Sequence, residues 1–278
     1  MPRKLSGLEV TLAGGVLALG AFVGVLVISS RPARSPEAIG LSAADSLSVA
    51  AQYQRQIAAR HESVRTPTWL QNAHVARLQE SAIRYQVDGE EPRPPQDSID
   101  SVLGSAHNSY LQKMLDEDDG VVSRWRPGTA IRVWVQPHST EPGFSADLVS
   151  PARRGFTVWN DLDLGVQFTL VEDSTVADVH VIWSAVMPRP DQVGLTFRIM
   201  NFDGWIALAH VILSTSRDIY TVQNAVRHEA GHVLGLGHSP IIDDIMASAT
   251  EGRQYKLTDA DVRTATLLYR LPAGPIKR

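Results

Sequence analysis

Apolar residues run unbroken from Leu12 to Ile28, and Glu9 is the only charge between Leu8 and Ile28. At about 1.5 Å per helical residue this stretch matches a hydrocarbon core of about 30 Å, which predicts an N-terminal transmembrane helix. The run exceeds the roughly 7 to 15 apolar residues of a cleavable signal. An uncleaved anchor over residues 1–30 is therefore expected, although Ser29 and Ser30 leave cleavage open. Arg3 and Lys4 on one side and Arg31 and Arg34 on the other give no charge asymmetry that would orient it.

The pattern then changes three times. Residues 31–40 are Ser, Pro, Arg and Ala, a linker composition. Residues 41–128 carry apolar positions at helical spacing, predicting helices over Ser42 to Glu62, Trp69 to Tyr85 and Ser98 to Glu117. The second follows a Thr66-Pro67-Thr68 start signal, and Glu91-Pro92-Arg93-Pro94-Pro95 breaks the chain before the third. The role of this helical region, as propeptide, stalk or interaction surface, is open.

From Thr129 the period becomes that of strands: Ile131 to Gln136, Val166 to Val171, Val179 to Ala185, Leu195 to Met200 and Ile206 to Leu213. The last two are separated by Asn201-Phe202-Asp203-Gly204, a hairpin signal. Ser145 to Leu162 has helical spacing and can cross over between parallel strands. The expected fold of residues 129–278 is α/β: a mixed, mostly parallel twisted sheet with a crossover helix, a further helix beginning near Asp218, and a last helix capped by Thr258.

With 278 residues and 44% apolar content the chain can bury a substantial core. Its 26 basic and 30 acidic residues give a net charge of -4 without long runs of one sign, so no nucleic-acid partner is expected. There is no cysteine, which excludes disulfides, thiol nucleophiles and thiolate metal ligands. Any metal must be held by His, Asp or Glu.

That restriction directs attention to His228-Glu229-Ala230-Gly231-His232-Val233-Leu234-Gly235-Leu236-Gly237-His238. Residues four apart share a helix face, so His228 and His232 can present imidazoles to one ion, with Glu229 beside them. His238 reaches the same ion only if the chain turns, and Gly235 suits the left-handed conformation that ends a helix. Three neutral imidazoles with a coordination position left open describe a catalytic zinc ion, and Glu229 is the candidate general base.

The pattern resembles the metzincin metallopeptidases, which share HExxHxxGxxH and a downstream methionine turn. Met246 lies eight residues after His238, and Ser239 follows the third histidine; both look like the matrixin branch, peptidase family M10. Ser248, two positions after the methionine, differs from the tyrosine of astacin-like members. The resemblance runs from about Thr129 to Tyr269. It implies a zinc metalloendopeptidase with His228, His232 and His238 as ligands, Glu229 as base and Met246 as an apolar floor beneath the metal.

The chain also departs from that family. No cysteine can supply a thiolate switch, and Ala247-Ser248-Ala249 replaces the Pro-x-Tyr that often follows the methionine. His180 and His210 fall on predicted strands and read as ordinary half-buried histidines, and His61, His74, His107 and His138 as surface residues. No regular acidic loop supports a calcium site. The implied partners are a protein or peptide substrate, extended along Leu195 to Met200 as an edge strand, and a membrane through residues 8–28. The implied location is the cell envelope, or outside the cell if the first segment is cleaved. The pattern sets no oligomeric state and no side-chain preference. A non-catalytic envelope scaffold that keeps the fold, and a zinc hydrolase acting on a non-peptide bond, are the alternatives.

Overall fold

The computed structural model describes residues 93–200, 204–248 and 256–276, and the backbone of 24–26. The helices expected over Ser42 to Glu62 and Trp69 to Tyr85, the linker, and the tip of the 201–203 turn lie outside these residues.

The strands are β1 (Gly24–Leu26), β2 (Val121–Val122), β3 (Ala130–Val135), β4 (Gln167–Leu170), β5 (Val179–Ser184), β6 (Gly194–Met200), β7 (Ile206–Ser214) and β8 (Gly274–Pro275). The helices, named α1 to α5 in chain order, are Gln96–Gly104, Leu111–Glu117, Val149–Thr157, Ile219–Leu234 and Asp259–Arg270. The main sheet has the order β1-β6-β7-β5-β3-β4, and β2 pairs separately with β8. Strands β4, β3, β5 and β7 are parallel, and β6 runs antiparallel to β7. The α/β expectation holds, and so does the hairpin. Gly204 at its base has φ 84, and a Cβ there would meet the Val122 carbonyl oxygen at 2.5 Å. Only glycine meets both demands.

Alternation along the strands divides the interior. One sheet face, with Ile131, Val133, Val179, Val181, Val211 and Leu213, belongs to the main core shared with α3, α4 and α5. The other carries Trp134, Ile182, Leu195, Phe197 and Ile212. Because the side-chain period of a strand is two, a register slip of one residue would exchange these faces. The crossover helix α3 lies close on α4, where a Cβ at Gly155 would stand 2.6 Å from Val226.

Four expectations need correction. The helix expected over Ser98 to Glu117 is two helices. Asn108 adopts φ 57, in the left-handed region, and Tyr110 turns into the core with its N–H on the Thr264 hydroxyl at 3.1 Å. His180 and His210 are fully buried rather than half-buried, at 0% and 1% exposure, directly opposite each other in β5 and β7. Trp134 and Phe197 cover them. Strand β6 is not the sheet edge, since Gly24–Leu26 pairs parallel to Phe197–Ile199. An open row of strand N–H and C=O groups readily templates such an addition. By the same pairing Gly24–Leu26 of the expected membrane segment are strand, and the rest of that segment lies outside the described residues, among which no helix is long and apolar enough to cross a membrane. His107 and His138 are exposed as expected, while His61 and His74 lie outside the described residues.

Candidate metal centre

Helix α4 begins where Asp218 caps it, its carboxylate accepting the N–H groups of Tyr220 at 2.9 Å and Thr221 at 3.1 Å. This satisfies donors that the first turn leaves without intrahelical partners. Further along the helix His228 and His232 are both buried. The far end is secured by side chains from elsewhere in the fold. The Arg198 guanidinium donates to the His232 carbonyl at 3.0 Å, the Trp125 indole to Val233 at 2.8 Å and the Tyr269 hydroxyl to Leu234 at 3.0 Å. Terminal carbonyls that α4 cannot pair internally are thereby satisfied, and Arg198 places a cation at the negative end of the helix dipole.

Gly235 then reverses the chain at φ 109. A Cβ there would stand 2.1 Å from the Ser123 carbonyl oxygen, so close approach requires glycine as firmly as the backbone angle does. The reversal brings His238 back over the helix. Its carbonyl accepts the Lys113 ammonium at 3.1 Å, and Met114 packs on Gly237, so α2 backs the third histidine directly.

The three imidazoles converge, with ring centroids 4.6, 4.8 and 5.3 Å apart and one potential ligand nitrogen from each within 4.8 Å of the others. His228 Nδ1 lies 2.7 Å from the Ile245 carbonyl and His232 Nδ1 2.8 Å from the Leu236 carbonyl. A carbonyl can only accept, so Nδ1 carries the proton in both rings and each Nε2 presents a lone pair. The Nε2 atoms of His228, His232 and His238 are buried and have no hydrogen-bond partner within the protein. Burial holds His228 down to about 4 and His238 to about 3, and His232 well below its ordinary value, with repulsion from neighbouring histidines adding to the effect at His232 and His238. Three buried lone pairs that protons do not claim at neutral pH are the donor set a borderline-soft divalent cation takes.

Met246 is fully buried beneath the histidines, and a Cβ at Gly231 would come 2.3 Å from its sulfur. The turn that carries it hangs on Asp261, whose carboxylate accepts the N–H groups of Ile245 at 2.9 Å and Met246 at 3.3 Å. The same carboxylate takes the Tyr110 hydroxyl at 3.1 Å and the Thr258 N–H at 3.1 Å. Ser239 in turn hydrogen-bonds Asp244, which accepts the Thr258 hydroxyl at 2.6 Å.

Glu229 is buried at 2% exposure, one helical position from His228, and one of its carboxylate oxygens accepts the Thr196 hydroxyl at 2.5 Å. Burial pushes its carboxyl from 4.5 up to about 8, with the Thr196 hydrogen bond opposing the rise. That is the value of the protein alone; a cation among the histidines would favour the ionised form.

The structure thus brings His228, Glu229, His232, Gly235, His238 and Met246 into one place. Thr196, Lys113, Asp261 and the carbonyl of Ser123 join them, and sequence reasoning missed all four. Asp261 alone had a legible signal, as the third residue after the Thr258 cap, and that signal spoke only for helix capping.

Residues 210–270 match the family model of the matrixins, Peptidase_M10, a span that opens at His210 in β7 and holds α4, all three histidines, Met246 and all of α5. No curated protein sequence matches the chain.

Proposed function

We propose, with the matrixin match over the histidine-bearing segment as premise, that this protein is a zinc-dependent endopeptidase. The observation that carries the reading is the convergence of three buried Nε2 lone pairs beside a buried carboxyl. His228, His232 and His238 would hold a single zinc ion. When bound, such an ion acidifies water and polarises a carbonyl group as a Lewis acid.

The protein's own residues account for the rest. Glu229 accepts the proton of the attacking water and returns it to the departing amine nitrogen, which splits the peptide C–N bond. Peptide main chain adds to the outer edge of β6 by strand hydrogen bonds. The pairing with Gly24–Leu26 covers Phe197–Ile199 and stops short of Gly194–Thr196, the part of β6 beside Glu229. That half of the strand is where an extended substrate lies closest to the base.

We also place the protein outside the cytoplasm. The apolar run from Leu12 to Ile28 behind Arg3 and Lys4 is what an export signal or a membrane anchor presents, and either carries the rest of the chain across a membrane.

The test is cleavage of a peptide library by the purified full chain, with and without a chelator, followed by zinc restoration. Internal cleavage that chelation removes and zinc restores is expected. Glu229→Ala should retain zinc and lose hydrolysis, whereas unchanged hydrolysis by that variant defeats the assignment. Cleavage confined to non-peptide bonds would defeat the substrate class.

A further inference from the structure

Alternate residues of β6 point towards α4, and three of them meet the histidine-bearing helix: Gly194 and Thr196 meet Glu229, and Arg198 meets His232. Thr196 is 1% exposed. Its hydroxyl oxygen stands 2.5 Å from Glu229 Oε2 and 3.4 Å from the Glu229 carbonyl oxygen. A hydroxyl has one proton to give, and the shorter, charge-assisted bond to the carboxylate takes it. The second carboxylate oxygen lies on bare backbone. A Cβ at Gly194 would come 2.5 Å from Glu229 Oε1 and 2.8 Å from Cδ. Hydroxyl on one side and glycine backbone on the other confine a side chain that otherwise has three rotatable bonds.

We propose that Thr196 is a positioning residue for the base: it fixes the Glu229 carboxylate through Oε2 and so assigns Oε1 to the water proton. This rests on the reading of Glu229 as general base. Strand β6 then has two tasks at one point, since its backbone edge aligns the substrate while its inward hydroxyl aligns the group that attacks through water. A hydrogen bond that merely held β6 onto α4 would have no reason to end on the base.

The experiment compares Thr196→Val, Thr196→Ser and Glu229→Gln in the full zinc-loaded chain, reading kcat, KM and bound zinc, with crystal structures of the first two. In Thr196→Val, kcat falls about 10- to 100-fold, the scale of a misplaced catalytic group. KM stays within about twofold, because ground-state binding is not what the hydroxyl supplies. Zinc remains at one per chain, and Glu229 occupies more than one rotamer. Thr196→Ser restores both the rate and the single rotamer. Thr196→Ala, which also lacks the hydroxyl, gives the same kcat loss and serves if the valine variant does not fold. Wild-type kcat in either variant lacking the hydroxyl, while Glu229→Gln is inactive, overturns the positioning role and leaves the base standing. Full activity of Glu229→Gln overturns both. A loss of zinc in parallel with kcat, not rescued by serine, marks a structural contact and also overturns the proposal.

Discussion

The Asp261 carboxylate, in the first turn of the last helix, accepts the backbone N–H of Ile245 at 2.9 Å, and the carbonyl of that same Ile245 accepts the His228 Nδ1 proton at 2.7 Å. One residue of the methionine turn therefore transmits the position of α5 to a metal-binding ring. Orientation of an imidazole through its second nitrogen is a recurrent determinant of metal affinity.

Replacing that carboxylate should be felt at the metal. Asp261→Ala strands the N–H groups of Ile245 and Met246 and the Tyr110 hydroxyl in the interior, destabilising the fold by about 3 kcal/mol. Zinc affinity should fall about 10- to 100-fold. Urea denaturation and zinc titration of the folded fraction check the two effects separately.

Two glycines in the ligand segment should differ sharply. Gly235→Ala forces a Cβ onto the Ser123 carbonyl oxygen at φ 109, a loss of about 3 kcal/mol or more from strain and overlap together. Gly237→Ala meets only the Met114 side chain, at 3.1 Å, and should lose about 1 kcal/mol or less. Equal midpoints for the two variants in thermal denaturation would contradict the account of the turn.

Metal binding should tolerate acid unusually well. A proton on Nε2 competes directly with a cation, and exposed histidines begin to lose metal near pH 6.5. Burial holds His228 down to about 4 and His238 to about 3, so these rings remain neutral well below that pH. In a Glu229→Gln background, which removes the carboxyl's own titration, zinc affinity should be nearly constant from pH 8 to about 5 and collapse below pH 4. Competition with a chelating dye across that range measures it.

The metal-free protein should lose stability on the alkaline side because of Glu229. Its folded value of about 8 lies above the ordinary 4.5, so between these values the folded state keeps a proton that the unfolded state has released. The resulting stabilisation is complete below pH 4.5 and disappears as pH rises through 8. His228 acts in the opposite sense: its folded value of about 4 lies below 6.5, so its contribution is present above pH 6.5 and lost as pH falls towards 4. Glu229→Gln should therefore abolish the decline between pH 6.5 and about 8 and steepen the acid limb between pH 6.5 and 4.5, where the wild-type carboxyl offsets His228, as read from urea midpoints.

Much of this protein was written in local spacing. The Asp218 and Thr258 caps, the strand alternation from Ala130 to Ser214, the His228 and His232 pair and the glycine stop at Gly235 each involve residues a few positions apart. Helix and strand periods convert such spacing into neighbours without help from the rest of the chain. Tertiary structure alone decided what holds those pieces. Thr196 reached Glu229 from 33 residues away, Lys113 reached the His238 carbonyl from 125 and Tyr110 reached Asp261 from 151. It also divided the helix expected over Ser98 to Glu117, because docking Tyr110 against α5 outweighed a continuous helical period. Propensity and periodicity act over a turn or two of chain, whereas these hydrogen bonds exist only once the sheet has brought distant segments within about 3 Å.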